Sequence, residues 1–281
     1  MRTTGYFHTH AIDIPVKHSG DQFWIVPFGD VHKYAPLHSD DYWKRFLDEA
    51  RELKNAYFLG MGDYVDLASS SERNALKDGR FHDSTIQTIE DLYMQNTRGL
   101  VADLEFMRGR IIGMIEGNHY GEFKDGTTTT QQMCRLLDCK YLGVSAFIRL
   151  SFQYANRRKS IDIWAHHGKG AARLIGGSLN TVQQMGEQAE ADIYCMGHDH
   201  KKSAGTTSKL VLSRGGGSVK VVHRQQLYVR TGSFLRGYVD GKQSYVADMG
   251  LNPTDLGVVQ IGVLARKLGD DSLDLELSAK I

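Results

Sequence analysis

The sequence predicts an α/β fold, and three observations carry that prediction. Between about residue 22 and residue 201, apolar runs of strand length alternate with stretches whose apolar residues recur at helical spacing. Five of the runs lead into an Asp, Asn or His. From Ser203 onward the helical spacing stops, and short apolar runs are joined by turn residues. Open α/β sheets bind ligands beyond the carboxyl ends of their strands, so the residues that follow the runs are the candidates for function.

The first strand is expected over Gln22–Phe28, and it leads into Gly29-Asp30-Val31-His32. A helix from about Asp40 to Lys54 follows, because Trp43, Phe46, Leu47, Ala50 and Leu53 fall on one face, with Ser39 placed to cap it. The next strand, Ala56–Leu59, ends in Gly60-Met61-Gly62-Asp63-Tyr64-Val65-Asp66, where Gly62 lets the chain turn sharply before a carboxylate. The polar stretch Ser69–Asp83 is long for a plain connection and reads as a loop. A long helix then starts at Ser84, which forms a capping box with Gln87, and runs on through Met107.

Strand Ile111–Ile115 delivers Glu116-Gly117-Asn118-His119-Tyr120. A hairpin of Ala146–Tyr154 and Ser160–Trp164, turning at Asn156, brings Ala165-His166-His167-Gly168. A helix near Leu179–Gln188 and a strand Ala191–Cys195 lead into Gly197-His198-Asp199-His200. Extended backbone sends residues i and i+2 to one side, so Asp30 and His32, and His198 and His200, are expected to reach neighbouring points. One such pair in a chain with 12 histidines is more often a solvated loop, but five successive strand ends of this kind are hard to explain as packing.

The remaining strands, at 210–212, 219–222, 226–230, 258–264 and 273–277, are expected to form an antiparallel second sheet with a turn at Gly215-Gly216-Gly217. They carry Arg214, Lys220, His223, Arg224, Arg230 and Arg236, which read mostly as solvated faces and, less often, as a strip that contacts phosphate.

Composition bounds the rest. The 41% hydrophobic and 24% charged content is that of an ordinary soluble protein, and the formal net charge of +1 gives no global attraction to nucleic acid or anionic membrane. Three cysteines, Cys134, Cys139 and Cys195, are too few and odd in number for a disulfide framework. No apolar run reaches the ~20 residues of a membrane span, and the first residues lack a signal-peptide pattern. The expectation is a cytoplasmic protein without a membrane partner, a single domain over 1–281, and nothing in the sequence fixes its oligomeric state.

Taken together, Asp30-x-His32, Gly62-Asp63-x-x-Asp66, Gly117-Asn118-His119, His166 and Gly197-His198-x-His200 resemble the motif series of the calcineurin-like metallophosphoesterase superfamily, in family order. The resemblance implies a four-layer sandwich of two mixed β-sheets flanked by helices, with residues 203–281 completing the second sheet. It implies two divalent ions, with Asp30, His32 and His200 on one, Asn118, His166 and His198 on the other, and Asp63 between them. His166 is preferred to His167 because ligands of this motif usually follow the last apolar strand residue directly, which leaves His167, like Asp66, beside the ligands or facing substrate.

A thiolate-free set of Asp, Asn and His suits manganese, iron or zinc. Two such ions supply a bridging hydroxide for in-line attack at phosphorus, and His119 is the expected acid for the leaving oxygen. Protein phosphatases of the superfamily continue after Asp66 with Arg-Gly and place Glu after the Asn-His pair, where this chain has Leu67-Ala68 and Tyr120. The missing arginine turns the expectation toward phosphodiesters, including nucleotides or nucleic acid. The alternatives are a small-molecule or protein phosphomonoesterase and a non-catalytic metal-binding protein.

Overall fold

Three parallel strands, β2 (Asp21–Phe28), β3 (Ala56–Gly60) and β4 (Ile111–Met114), lie side by side with their carboxyl ends on one edge. They belong to a computed structural model that describes residues 8–79, 81–170, 172–212, 219–269 and 272–281. The other strands are β1 (His8–Pro15), β5 (Ser145–Tyr154), β6 (Arg157–His166), β7 (Ile193–Met196), β8 (Lys202–Leu212), β9 (Val221–Ser233), β10 (Gly257–Val258), β11 (Gln260–Lys267) and β12 (Leu273–Lys280). The helices are α1 (Asp40–Glu52), α2 (Ser70–Asp78), α3 (Asp83–Leu104), α4 (Thr129–Leu137), α5 (Ile175–Gln183), α6 (Met185–Gln188) and α7 (Tyr245–Asp248).

Two mixed sheets result. One has the order β12-β11-β2-β3-β4, and the other runs β1-β5-β6-β7-β9-β10 with β8 paired to β9. Strand pleating sorts the side chains of both. Phe23 and Ile25 of β2, Leu59 of β3, Ile112 of β4 and Ile161, Ile163 and Ala165 of β6 face inward and form the core between the sheets. Val26, Phe28, Phe58 and Met114 point the other way, onto Trp43, Phe46 and Leu47 of α1, Leu100 and Leu104 of α3, and Met133 and Leu137 of α4. On the second sheet, Trp164, Tyr194 and Tyr228 pack against Val182 of α5 and Met185 of α6. The layers are therefore helix, sheet, sheet, helix. Each fully buried Phe or Leu contributes roughly 1.5–3 kcal/mol to holding them together.

Several expectations need correction. The stretch 69–83 is not a loop: α2 starts at a capping box, Ser69 Oγ accepting the Glu72 N–H and Glu72 accepting the Ser69 N–H. A second box, Thr128 with Gln131, starts α4, whose Met133, Cys134 and Leu137 are buried. At α3 the cap is His82, whose Nδ1 accepts the Ser84 N–H, and not Ser84. Ser39 precedes α1 without a side-chain cap bond and instead accepts from Arg236 Nε at 3.1 Å. β1 carries no apolar run, because its residues are mostly polar or exposed, yet its whole length pairs in parallel with Ala146 to Gln153 of β5.

The C-terminal strands do not complete one sheet. β8, β9 and β10 extend the sheet of β6 and β7, whereas β11 pairs antiparallel with β2 of the other. Gly215, Gly216, Gly217 and Arg214 lie outside the described residues. Among the described residues, no helix is long and apolar enough to cross a membrane.

Candidate metal centre

Both sheets deliver their parallel strand ends to the same edge, and the five ligand motifs sit there. The loops after β2 and β3 are bonded to each other, Asp30 N–H to Gly62 O (2.9 Å) and His32 N–H to Asp63 O (3.0 Å). The end of β9 ties the two sheets together at this point, because Ser233 Oγ and the Phe234 N–H both donate to Asp30 O.

The backbone there is not extended. Asp30, His32, Asp63, His198 and His200 all have left-handed φ, between 45° and 72°. Residues of this kind cost on the order of 1–3 kcal/mol each and persist where the surroundings over-determine them. The alternate residues converge because the chain curls at each strand end, which corrects the reason given by the pleat. Two glycines make the curl possible. Gly62 has φ of 97° and a Cβ there would lie 2.5 Å from His167 Nδ1, while a Cβ on Gly117 would lie 2.0 Å from Asp63 Oδ1.

Asp63 sits at the centre. Its Oδ1 accepts the Asn118 and His119 N–H groups at 2.7 and 2.8 Å, and its Oδ2 lies 3.3 Å from His167 Nε2 and 3.7 Å from His32 Nε2. On one side, Asp30, His32 and His200 bring ligand atoms within 4.8 Å of one another; on the other, Asp63, His167 and His198 do the same. Asn118 Oδ1 joins the second group, 2.9 Å from His167 Nε2 and 2.7 Å from His198 Nδ1.

The tautomers are set from outside. His167 Nδ1 lies 2.7 Å from Met61 O, which can only accept, so Nδ1 carries the proton and Nε2 faces the group. His32 Nδ1 likewise donates to Asp66 Oδ1 at 3.0 Å, which turns its Nε2 toward His200 Nε2, 3.2 Å away. Asp66 Oδ1 also lies 3.2 Å from His119 Nδ1, so one carboxylate orients both a candidate ligand and the candidate acid.

His167, and not the expected His166, stands among the clustered ligand atoms. His166 Nδ1 accepts the Gly168 N–H (2.7 Å), and His166 enters none of the ligand groups. The cause is the pleat: β6 continues through His166, and Ala165 faces the core between the sheets. His166 follows Trp164 to the outer face, and His167 follows Ala165 inward.

Electrostatics fit a cation. Asp30 is fully buried, its Oδ1 has no hydrogen-bond partner, and burial pushes its carboxyl up to about 7 against the nearby His167 and His32 charges. An orphaned carboxylate oxygen costs free energy that an adjacent cation would offset. Burial opposes charge on Asp63 as well, but its hydrogen bond to His167 and the charges of His167 and His32 hold it well below the carboxylate range. Burial would lower His167, yet its contact with Asp63 outweighs that and raises it from 6.5 to about 9. Burial, with the His32 charge, pulls His200 well below its ordinary value, so its ring is neutral and ready to donate a lone pair. The mixed Asp, Asn and His set thus suits divalent ions of the manganese, iron or zinc kind.

A pH dependence follows. A raised histidine stabilises the metal-free fold fully below 6.5, and that contribution is lost as pH rises through about 9. Ligation needs neutral His167, so metal affinity should rise with pH until about 9 and then level. Calorimetry of manganese binding at pH 7, in buffers of different ionisation enthalpy, should show about one proton or more released per chain; none released would contradict the His167–Asp63 pair.

Two arginines that no motif marked hold the site's loops. Arg73 of α2 donates through Nη1 to Ala68 O (2.5 Å), Asn118 O (2.8 Å) and Tyr120 O (3.3 Å), and stacks 3.6 Å over the Tyr120 ring. Arg230 is buried, donating to Gly197 O (2.8 Å) and Ser178 O (3.1 Å) beside Asp199, which also accepts from Ser178 Oγ. Arg224 pairs with Asp192 and Glu190, and Arg236 with Ser39 and Asp41. Arg224, Arg230 and Arg236 thus each have partners within the protein, Arg230 buried and Arg236 at the surface, which is neither the plain solvated face expected of most of them nor support for a phosphate strip.

The centre opens into a cleft of about 770 Å³ whose lining includes His32, Asp63, Asp66, Asn118, His119, His198 and His200.

No family model and no curated protein matches the sequence. Solved structures it resembles include Vps29 of Chaetomium thermophilum, with 11% identity and a TM-score of 0.37 over 92% of this chain and 97% of that one. The same protein complexed with the RaPID-derived cyclic peptide RT-D3 gives 11% and 0.34 over 92% and 96%. A conserved uncharacterized protein of Streptococcus pneumoniae TIGR4, described as a predicted phosphoesterase, gives 12% and 0.31 over 92% and 99%. Likenesses at these values assign no activity to this chain, whose function has to be argued from its own side chains.

Proposed function

We propose that the protein is a metal-dependent phosphoesterase with a two-ion centre, acting on phosphodiesters. One observation carries this reading: two groups of inward-facing ligand atoms meet at Asp63, beside the orphaned Oδ1 of buried Asp30. Asp30, His32 and His200 would hold one ion, Asn118, His167 and His198 the other, and Asp63 would join them. When bound, two such ions lower the pKa of a shared water and clamp the oxygens of an in-line displacement at phosphorus.

The chain's own residues supply the rest. Asp66 fixes the ring of His119 through Nδ1, which leaves the far nitrogen on the cleft side free to carry a proton to a leaving oxygen. Arg73 anchors the Asn118-His119 backbone from behind, so it is not free to grip a phosphate. With no arginine after Asp66 and Arg73 engaged, the phosphate grip that the protein phosphatases place beside the Asn-His pair is missing here, and the positive charge at the cleft is left to side chains such as Arg173 and Lys201. This favours a diester monoanion.

The test is the purified full chain with manganese, iron or zinc in turn, assayed on bis-p-nitrophenyl phosphate and p-nitrophenyl phosphate. Metal-dependent hydrolysis with the diester preferred is expected. In the same assay His167→Ala should lose metal and more than about a hundredfold in rate, whereas His166→Ala should keep both metals. A metal-replete chain that hydrolyses neither ester would leave a metal-binding protein, and preference for the monoester would make a phosphomonoesterase the better reading.

A further inference from the structure

The cleft is larger than the phosphorus end requires, and its far side differs in chemistry from its floor. A segment between β9 and β10 forms one wall, with Tyr245, Leu251 and Pro253 lining the cleft, and Ile175 lines it from the start of α5. Tyr245 is 68% exposed and Ile175 58% exposed, so both present apolar surface to the space they line.

Internal hydrogen bonds fix the wall. Ser244 Oγ donates to Gly237 O (2.5 Å) and accepts the Ala247 N–H (3.0 Å), Tyr238 Oη donates to Leu251 O (2.7 Å), and Lys202 Nζ donates to Leu256 O (3.2 Å). Two further cleft residues, Arg173 and Lys201, are cations whose side chains have no ion pair or hydrogen bond among the described residues. The cleft therefore offers unpaired positive charge, suited to a phosphate monoanion, beside an aromatic ring and aliphatic side chains that suit a planar apolar group. A volume of about 770 Å³ lies in the range of sites for nucleotide-sized ligands, and well above the needs of a dialkyl phosphate.

We infer that the substrate is a small phosphodiester that carries a planar aromatic alcohol, held between Tyr245 and Ile175, with Arg173 and Lys201 contacting its non-bridging oxygens. This inference rests on the phosphoesterase reading, which says at which end of the cleft the phosphorus lies. A nucleoside and a simple aryl alcohol share the chemistry; a polynucleotide is disfavoured because Arg224, Arg230 and Arg236, the last of which also lines the cleft, are each already paired with groups of the protein.

Initial-rate competition against bis-p-nitrophenyl phosphate gives the affinity of the manganese-loaded full chain for diphenyl phosphate and for dimethyl phosphate, whether or not either ester is itself hydrolysed. Diphenyl phosphate should bind about tenfold or more tightly, from the apolar area it covers and from stacking on the ring. Tyr245→Ala and Ile175→Ser should each shrink that ratio, and the pair should bring it near one, with metal content and melting temperature measured on the same samples. Arg173→Gln and Lys201→Gln should weaken both diesters alike and leave the ratio. Adenosine 5′-methyl phosphate as a third ligand separates the two sources: tighter binding than diphenyl phosphate supports a nucleoside, weaker binding an aryl alcohol. Equal affinities for diphenyl and dimethyl phosphate, or a preference that survives the double substitution, would overturn this inference while hydrolysis of bis-p-nitrophenyl phosphate left the phosphoesterase reading in place. Absence of hydrolysis with every metal would overturn that reading and the substrate claim with it.

Discussion

Replacing Asp63 with asparagine is expected to strip the centre of both ions, from about two per chain to none, and to lower hydrolysis by about 10³-fold or more, because the charge stabilisation that two ions supply is worth several kcal/mol. Asp63 reaches toward both ligand groups, with Oδ2 3.3 Å from His167 Nε2 and 3.7 Å from His32 Nε2. The amide keeps an oxygen for the Asn118 and His119 N–H groups, so the fold should survive. It cannot supply the negative charge. Asp63→Ala removes that oxygen as well, leaving two backbone donors without their acceptor, and should cost about 1–3 kcal/mol of stability for each. His32→Ala should behave differently, because Asn118, His167, His198 and Asp63 remain together, and about one ion per chain should be retained. Metal analysis of the three variants decides. Two ions retained by Asp63→Asn would exclude the joining role.

His119→Ala should keep both ions and lose activity in a way that depends on the leaving group. His119 is half-buried on the cleft and forms, with Asp66 and His32, a third cluster of potential ligand atoms, in which its Nδ1 lies 3.2 Å from Asp66 Oδ1. General acid catalysis contributes ~10²–10⁴-fold, and less when the departing oxygen is acidic enough to leave unaided. The variant should therefore lose most on a diester with an alkyl or nucleoside leaving group and far less on a nitrophenyl one. Equal losses on both would reduce His119 to a packing neighbour of Asn118. Asp66→Asn adds a check, since it weakens the group that orients His119 and His32 at once, and should lower both the rate on poor leaving groups and the affinity for metal.

The order of elements that builds the candidate site was legible because each signal is local. A five-residue apolar run, a helical stripe such as Trp43, Phe46, Leu47 and Ala50, and a glycine before a carboxylate need no distant partner to be read. Two capping boxes, Ser69 with Glu72 and Thr128 with Gln131, are equally local; the first marks α2, in a stretch expected as a loop, and the second α4, for which no element was expected.

What depended on the tertiary structure has a common physical reason: it turns on which side of a strand or loop a group faces, and on groups far away in sequence. His166 and His167 are indistinguishable as residue types, and only the register of β6 against β5 and β7, which carries the strand one residue further, puts His167 between the sheets. The left-handed backbone of Asp30, His32, Asp63, His198 and His200 is imposed by contacts between loops, not by those residues' own preferences. The division of the C-terminal strands between two sheets is a matter of edge pairing, which apolar runs do not encode. Whether an arginine meets phosphate or a backbone carbonyl was likewise decided by packing. Arg73 and Arg230 carry the same charge as Arg173, but burial obliges the first two to find acceptors within the protein, and their acceptors are the loops that present Asn118, His119 and His198.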